Sequence, residues 1–486
     1  MRIGGLVALL LAVAGCPSSQ RTPGHDVRDA ASDAPIADRT DWHGRSIYFV
    51  MTDRFANGDP GNDGANGYAA DLADPRAWHG GDFRGLIDRL DYIAGMGFTG
   101  LWITPVIEQH DGHGYHGYWG WDWSKIDGHL GDLDQLRALV AAAHQRGIAV
   151  MIDTVANHTG RYGYATPTFP DYAMYHHNGN ITDYGNPTQV EDNDLSGLND
   201  LAQENPAVAA KLLDHVRWLV TETGADGLRV DTVKHVPKPF WSEWVGAARV
   251  FTLGEVLDGA VDNVAPYSHV LDATLDYPLY FAIKDVFAKN GSMRRLGDVL
   301  GRDDTYRDPQ LSGVFLDNHD QPRFLCEATG ATDADKLAQL RLALAFVFTA
   351  RGIPVVYYGT EQAFASCTEN RPDMFGTPST ASAMYAWIAT LQRIRTRSEA
   401  LRIGVQHERW QDDTAYAFER VAGAHGAIVA FNLSGGSRTL SLQGLVIPTG
   451  TTLRDALGGG AIVTVDAGRV QVTIPARAVV VLTTEP

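Results

Sequence analysis

The sequence predicts an α/β chain: a (β/α)8 barrel of the TIM type, a small subdomain inserted after its third strand, and a C-terminal antiparallel β-sandwich. Three observations predict it. Over residues 41–402, short β-branched and aromatic runs alternate with amphipathic runs, the pattern of parallel strands joined by helical crossovers. One gap, 159–205, is too long for a plain loop in a compact domain. Over residues 403–486 the apolar period becomes two.

The elements follow in order. SIYFVMT is a strand, and FRGLIDRLDYIAGMG is a helix stopped by glycine. TGLWITPV is the second strand, LDQLRALVAAAHQRG an amphipathic helix, and IAVMIDTV the third strand. The insertion, full of Gly, Asn, Tyr and Pro, comes next. PAVAAKLLDHVRWLVTETG then opens on proline and closes on glycine, as helices do. ADGLRVDTV, RVFTLGEVL, HVLDATLDY, LSGVFLDNHD and IPVVYYG supply the remaining strands. PFWSEWVGAA, LYFAIKDVFA, ADKLAQLRLALAFVFTARG and ASAMYAWIATLQRIRTRS are the helices around them. About eight such units point to a closed barrel rather than an open sheet. No glycine-rich phosphate or dinucleotide fingerprint follows the first strand. TAYAFERV, AIVAFNL, RTLSLQG and RVQVTIPARAVVVLTT alternate between turn residues and make the sandwich.

Composition narrows the function. The 486 residues carry a formal net charge of −18, with 44% apolar and 20% charged residues and 11 Trp. A sizeable core can form, and nucleic acid is not expected as a partner because phosphate contacts need clustered Lys and Arg. A neutral or small solute suits the chain better, and flat indole rings suit sugar faces as well as cores. At the N-terminus, MRIGGLVALLLAVAGC has the length of a signal-peptide core and is too short to span a membrane comfortably. LAVAGC resembles the bacterial lipobox, so residues 1–16 are expected to be a lipoprotein signal with Cys16 lipidated. The other reading is an ordinary signal peptide cut nearby. Residues 17–40 read as a flexible tether. An exported protein is expected, anchored to a membrane by its lipid and facing the periplasm or the cell exterior, and monomeric.

In a barrel, chemistry sits where the parallel strands end. Asp153, Asn157 and His158 follow the third strand. Arg229, Asp231, Lys234 and His235 follow the fourth, Glu255 the fifth, and Asp317, His319 and Asp320 the seventh. Each alone has a dull explanation, such as a helix cap or a hydrogen-bonded bystander. Together they bring three carboxyl groups from three strands beside an arginine and several histidines. Glycoside hydrolysis uses such a set: one carboxylate attacks the anomeric carbon while a second carboxyl, kept protonated, donates to the leaving oxygen.

DTVANH (153–158), GLRVDTVKH (227–235), GEV (254–256) and FLDNHD (315–320) resemble the four signature stretches of the α-amylase family, in order and on the matching strands. The likeness extends to HGYWGWD, TQVED, GEVLDG, DYPLY and YYGTEQ and is strongest to fungal secreted α-amylases. The resemblance implies that Asp231 is the nucleophile, Glu255 the general acid/base and Asp320 the binder of sugar hydroxyls. It implies that Arg229 orients and ionises Asp231, that His158 and His319 grip the sugar at the cleaved bond, and that Tyr118 stacks on it with His116 nearby. It puts Lys234 and His235 on the leaving-group side and Arg371 on the donor side, with Cys367 where the usual acidic partner of that arginine stands. It makes Asp153 mainly structural. It also implies Ca2+, held by Asn157, Glu191, Asp200 and the backbone carbonyl of His235, oxygen donors that suit a hard ion.

The expected function is therefore hydrolysis of internal α-1,4 bonds in starch, glycogen or maltodextrins, with retention. One alternative is an α-glucan transglycosylase similar to cyclodextrin glucanotransferases. Those usually carry further C-terminal domains and an aromatic residue in the insertion, which NDLSGLNDL lacks. The other is a starch-binding surface protein without catalysis, which the full carboxylate set argues against. Cys326 and Cys367 follow the seventh and eighth strands, and neighbouring loops of an exported protein can be bridged, so a disulfide bracing the donor side is expected.

Overall fold

The computed structural model describes residues 41–376 and 378–485. The expected signal segment, Cys16 and the tether lie outside the described residues.

The barrel strands are β1 (Ile47–Val50), β2 (Gly100–Ile103), β5 (Ala149–Thr154), β6 (Gly227–Val230), β7 (Phe251–Gly254), β8 (Ala273–Thr274), β9 (Gly313–Val314) and β10 (Ile353–Tyr357). A hairpin of β3 (Ile107–Gln109) and β4 (Gly120–Ile126) stands between the second and third barrel strands. The ladder runs β8-β7-β6-β5-β2-β1-β10-β9, all parallel. It closes through a parallel bridge between Leu275 and Gly313, where the Asp276 N–H donates to the Gly313 carbonyl at 2.9 Å. Every residue of these strands is buried, which explains their continuous apolar runs. Trp42 plugs the floor: it stacks on Phe251 at 5.2 Å, and a Cβ at Gly227 would come within 2.9 Å of its ring.

Local chemistry ends the helices where the sequence suggests. Asp82 caps Phe83–Met96, and Gly97 closes it in the left-handed region at φ 92°. Asp132 and Gln135 form a capping box on Leu133–His144. Asn205 and Pro206 start Pro206–Thr223, which Gly224 ends.

Two strands are shorter than their apolar runs. β9 stops at Val314, and side chains then turn the backbone away. Asp317 accepts from the Phe324 N–H (3.0 Å) and the Thr360 hydroxyl (3.2 Å), while Asn318 accepts from the Asp320 and Gln321 N–H groups, both at 2.9 Å. β8 likewise keeps two residues. The β3–β4 hairpin is absent from the sequence reading because register shifts at Ile107, Glu108 and Gln109 break its alternation.

Within the insertion, residues 159–205 hold a short helix, Pro187–Asp192, and an internal isolated bridge Tyr175–Leu201, while the bridge His158–Asp200 ties the insertion to the third-strand loop. The C-terminal domain has β11 (Val405–Gln411), β12 (Ala415–Ala422), β13 (His425–Asn432), β14 (Arg438–Gln443), β15 (Thr452–Asp455), β16 (Ile462–Thr464), β17 (Arg469–Ile474) and β18 (Ala478–Thr483). They form a six-stranded sheet, β11-β12-β13-β18-β15-β16, and a β14–β17 ribbon around a core that includes Ile428, Leu440, Leu442, Leu453, Val472 and Leu482. This domain docks on the barrel through rings: Phe346 meets Phe418 and Phe431.

Cys326 and Cys367 are joined, with their Cα atoms 5.1 Å apart. The bridge spans a sequence separation of 41. By loop-closure entropy alone a bridge over a loop of that length contributes about 4 kcal/mol.

Candidate active site

The strand ends converge on one buried guanidinium. Arg229, at the end of β6, is wholly buried. Its Nη1 donates to both Asp153 oxygens (2.9 and 3.0 Å) and to Asp231 Oδ1 (2.7 Å). Its Nη2 lies 2.8 Å from Glu255 Oε2 without hydrogen-bond alignment. Asp153 is also held by the Tyr118 hydroxyl (2.6 Å) and the Trp102 indole (3.1 Å). Glu255 is fixed by the Tyr277 hydroxyl (3.2 Å) and the Thr232 N–H (3.2 Å). Thr232 has φ 49°, a left-handed residue directly after Asp231 that turns the chain at the strand end.

Three carboxyl groups around one cation cannot all ionise cheaply. Burial pushes Asp153 up to about 6, although Arg229 and its hydrogen bonds oppose the shift. Burial also raises Asp231 well above the ordinary carboxylate range; Arg229 pulls it down, and Glu255, Asp153 and Asp320 push it further up. The resemblance gives Arg229 the task of ionising Asp231. In the folded site Arg229 works against burial and three acidic neighbours, and burial is the larger influence on Asp231.

Above this cluster lies a cleft of about 690 Å³. His116, Tyr118, His158, Asp231, Lys234, His235, Glu255, His319, Asp320 and Arg371, all expected from the sequence, line it. Tyr118 and His319 stack at 5.2 Å. Asp320 reaches His319 Nε2 (3.1 Å) and Arg371 Nη2 (3.0 Å). Arg371 thus has an acidic neighbour after all, Asp320, while Cys367 is taken up by the disulfide. Arg371 Nε also donates to the His319 carbonyl (2.9 Å), and Nη1 to the Tyr115 hydroxyl (3.1 Å). Lys234 Nζ donates to the Leu257 carbonyl at 2.7 Å.

Trp119, Tyr184, Leu195, Leu198, Leu257 and Gln321 also line the cleft and were not legible as site residues. Leu195 and Leu198 belong to the stretch without an aromatic residue. Tyr184, 58% exposed, brings a ring to the cleft from elsewhere in the same subdomain, where a lone Tyr in a Gly/Asn loop gives no periodic signal.

The oxygen cluster below the insertion is a separate feature. The Asn157 amide points at the His235 carbonyl oxygen (2.7 Å) and at Asp200 Oδ1 (3.0 Å). Either its NH2 donates to both, or its oxygen joins them around a cation. Spacings of about 3 Å are those of neighbouring oxygens around an ion bound at about 2.3–2.6 Å. Burial raises Asp200 to about 8, so this pocket disfavours an uncompensated carboxylate. Glu191 sits on the helix whose Val190 carbonyl faces His235 Nδ1 at 2.9 Å, and its charge neighbours are Asp192 and Lys238. Among the described residues no group of three or more His, Cys, Asp or Glu side chains is placed to hold a metal ion. The donor set, one amide, one carbonyl and two carboxyl groups, is all oxygen and fits a hard cation.

The cleft histidines are neutral hydrogen-bonding groups. Burial lowers His158 to about 3 and takes His116 and His319 well below their ordinary value, with Arg371 adding to the last two. His158 Nε2 and His319 Nδ1 are buried without partners. A histidine lowered to about 3 stays uncharged over the working range of about pH 5–8. His158→Gln should therefore lower kcat/KM about tenfold or more, the loss of one hydrogen bond to substrate, without moving the acid limb of the pH profile. A pH–rate series checks this; a displaced limb would mean that His158 titrates in the cycle.

Known proteins place this geometry. A family model described as "Alpha amylase, catalytic domain" matches residues 49–414. A "Beta/alpha-amylase" of Paenibacillus polymyxa is 45% identical over 462 residues, 92% of this chain and 38% of that protein. "Alpha-amylase 1" of Lipomyces kononenkoae is 37% identical over 76% of this chain and 61% of its own length. The chain thus spans less than two thirds of both relatives, and the likeness runs to bacterial as well as yeast enzymes. Among solved structures, an Anoxybacillus alpha-amylase superposes with a TM-score of 0.83 at 36% identity, covering 92% of this chain and 99% of that one. CldA, described as a cyclomaltodextrin glucanotransferase with a three-domain ABC distribution, superposes at 0.81 and 31% identity, covering 91% and 99%. With its motif order, barrel and carboxylate cluster, this chain is a glycoside hydrolase of the alpha-amylase family.

Proposed function

We propose that the protein hydrolyses internal α-1,4-glucosidic bonds of starch, glycogen or maltodextrins by double displacement, with retention. The observation that carries this reading is the placement of Asp231 and Glu255 on the two terminal nitrogens of one guanidinium, at the base of an open cleft. Retaining enzymes keep their two carboxyl groups about 5–5.5 Å apart, close enough for one to attack as the other donates.

In this reading Asp231 Oδ attacks C1 of the bound glucosyl unit. The C1–O4 bond breaks, and the proton held on Glu255 goes to the departing O4. Water then loses a proton to Glu255 and attacks C1, which returns the Asp231 carboxylate and gives an α-configured hemiacetal. Arg229 remains charged throughout, and its hydrogen bond to Asp231 is ready for the carboxylate at both ends of the cycle. Asp320, His319 and His158 bind the hydroxyls of that sugar, and Tyr118 backs it.

The glucanotransferase reading keeps a specific support, the likeness to CldA; because CldA has three domains, a single C-terminal sandwich does not separate the two activities. Product analysis does. Linear maltooligosaccharides that shorten with time are expected from soluble starch, with an α-anomer formed first on a maltooligosaccharide. Early cyclic products would favour transfer, and an initial β-anomer would overturn retention.

Calcium at Asn157, Asp200, the His235 carbonyl and Glu191 belongs to the same proposal. The ion would supply a cross-link between insertion and barrel, at the turn that also carries Lys234 and His235. Chelation should lower the melting temperature, because an ion bound only by the folded state stabilises it. Unchanged melting with and without chelator would remove the site. The lipid anchor on Cys16, with the enzyme facing the periplasm or cell exterior, is proposed on LAVAGC alone.

A further inference from the structure

The cleft does not end at its catalytic walls. Gln321, which follows Asp320, lines both the cleft and a second cavity of about 380 Å³, within the range of ligand pockets. The two spaces share that side chain, which the Tyr280 hydroxyl meets at 3.4 Å. Tyr280 is itself stacked on Phe315 at 4.9 Å.

An exposed aromatic side chain lines the second cavity. Phe281 is 38% exposed, although it belongs to the helix Tyr277–Ile283, whose other residues are buried. It lies four residues after Tyr277, one helical turn, and Tyr277 holds Glu255. Phe281 therefore stands one turn outward from the acid/base residue. A Cβ at Gly259 would meet its ring at 3.4 Å, ordinary contact distance, so the fifth-strand loop lies against it. Leu257, on the same loop and 39% exposed, lines the cleft. Exposed apolar groups thus continue from Leu257 to Phe281 along the Glu255 side of the cleft.

The cavity's charges are largely paired. Lys284 and Lys289 meet Glu327, the latter at 3.4 Å, and Arg295 meets Asp285 at 3.4 Å. A phosphate site would leave cations free. An exposed ring among paired, hydrogen-bonding charges suits a neutral polyhydroxylated chain.

We propose that this cavity is a distal subsite for the leaving-group portion of a long α-glucan, with Phe281 as its stacking residue and Gln321 at its junction with the cleft. The inference rests on the proposed α-glucan hydrolysis and deepens it: chains that extend past the cleft gain a contact that short ones never reach.

The full-length enzyme and its Phe281→Ala and Phe281→Trp variants would be compared on maltotetraose and on amylose. Phe281→Ala should reduce kcat/KM for amylose about five- to tenfold, the loss of one stacking contact, mainly through KM. It should change the maltotetraose value less than twofold, and Phe281→Trp should restore the amylose value. Equal losses on both substrates would overturn the subsite and mark Phe281 as structural. So would an unchanged amylose value, or an Ala variant that does not fold alongside a Trp variant that folds but shows no amylose preference. If the parent enzyme cleaves neither substrate, the reading of the whole cleft fails instead, which is a different result.

Discussion

The buried guanidinium of Arg229 is the interaction on which the site depends. It meets carboxyl groups from β5, the end of β6 and the end of β7, so three neighbouring strand ends are registered against one planar fork. Burying a cation with three acids is not a route to stability, since the desolvation of all four groups offsets most of their attraction. What the arrangement gives is position. Removing Arg229 would leave the acids facing each other in a dry site.

Around that centre the fold supplies walls of different rigidity. The Asp320 side is tied twice: Arg371 and Asn370 bind the carbonyls of the 318–321 turn, and the Cys326–Cys367 bridge joins the same two loops. The opposite side is the insertion, held by the His158–Asp200 bridge and the oxygen cluster at Asn157. One wall is thus braced by a disulfide, and the other meets the barrel at a polar joint whose His235 also lines the cleft, so a cation at that joint would bear on the catalytic site.

Most of the barrel was legible in the sequence because its strands are buried on both faces and its helices carry caps and terminal glycines. The carboxylates were legible because they sit at strand ends in four recognisable stretches. Other features left no periodic trace. The β3–β4 hairpin is broken by register shifts, and β9 is followed by a turn in which Asp317 and Asn318 accept from the backbone N–H groups of Phe324 and Asp320. Tyr184, Leu257 and Phe281 are single exposed side chains, and only their place beside a cavity gives them meaning. The partner of Arg371 was obscured for a different reason: the acid comes from another strand, fifty-one residues away in sequence.

The central claim is that Asp231 forms the covalent bond to sugar while Glu255 moves the proton. A glycosyl fluoride carries a leaving group that departs without acid catalysis, so a Glu255→Gln variant can still be glycosylated but turns over slowly. Peptide mass spectrometry of that variant after reaction with α-maltosyl fluoride is the direct measurement. The account predicts a maltosyl adduct on the peptide containing Asp231; an adduct on Asp320, or none while fluoride is still released, would contradict it.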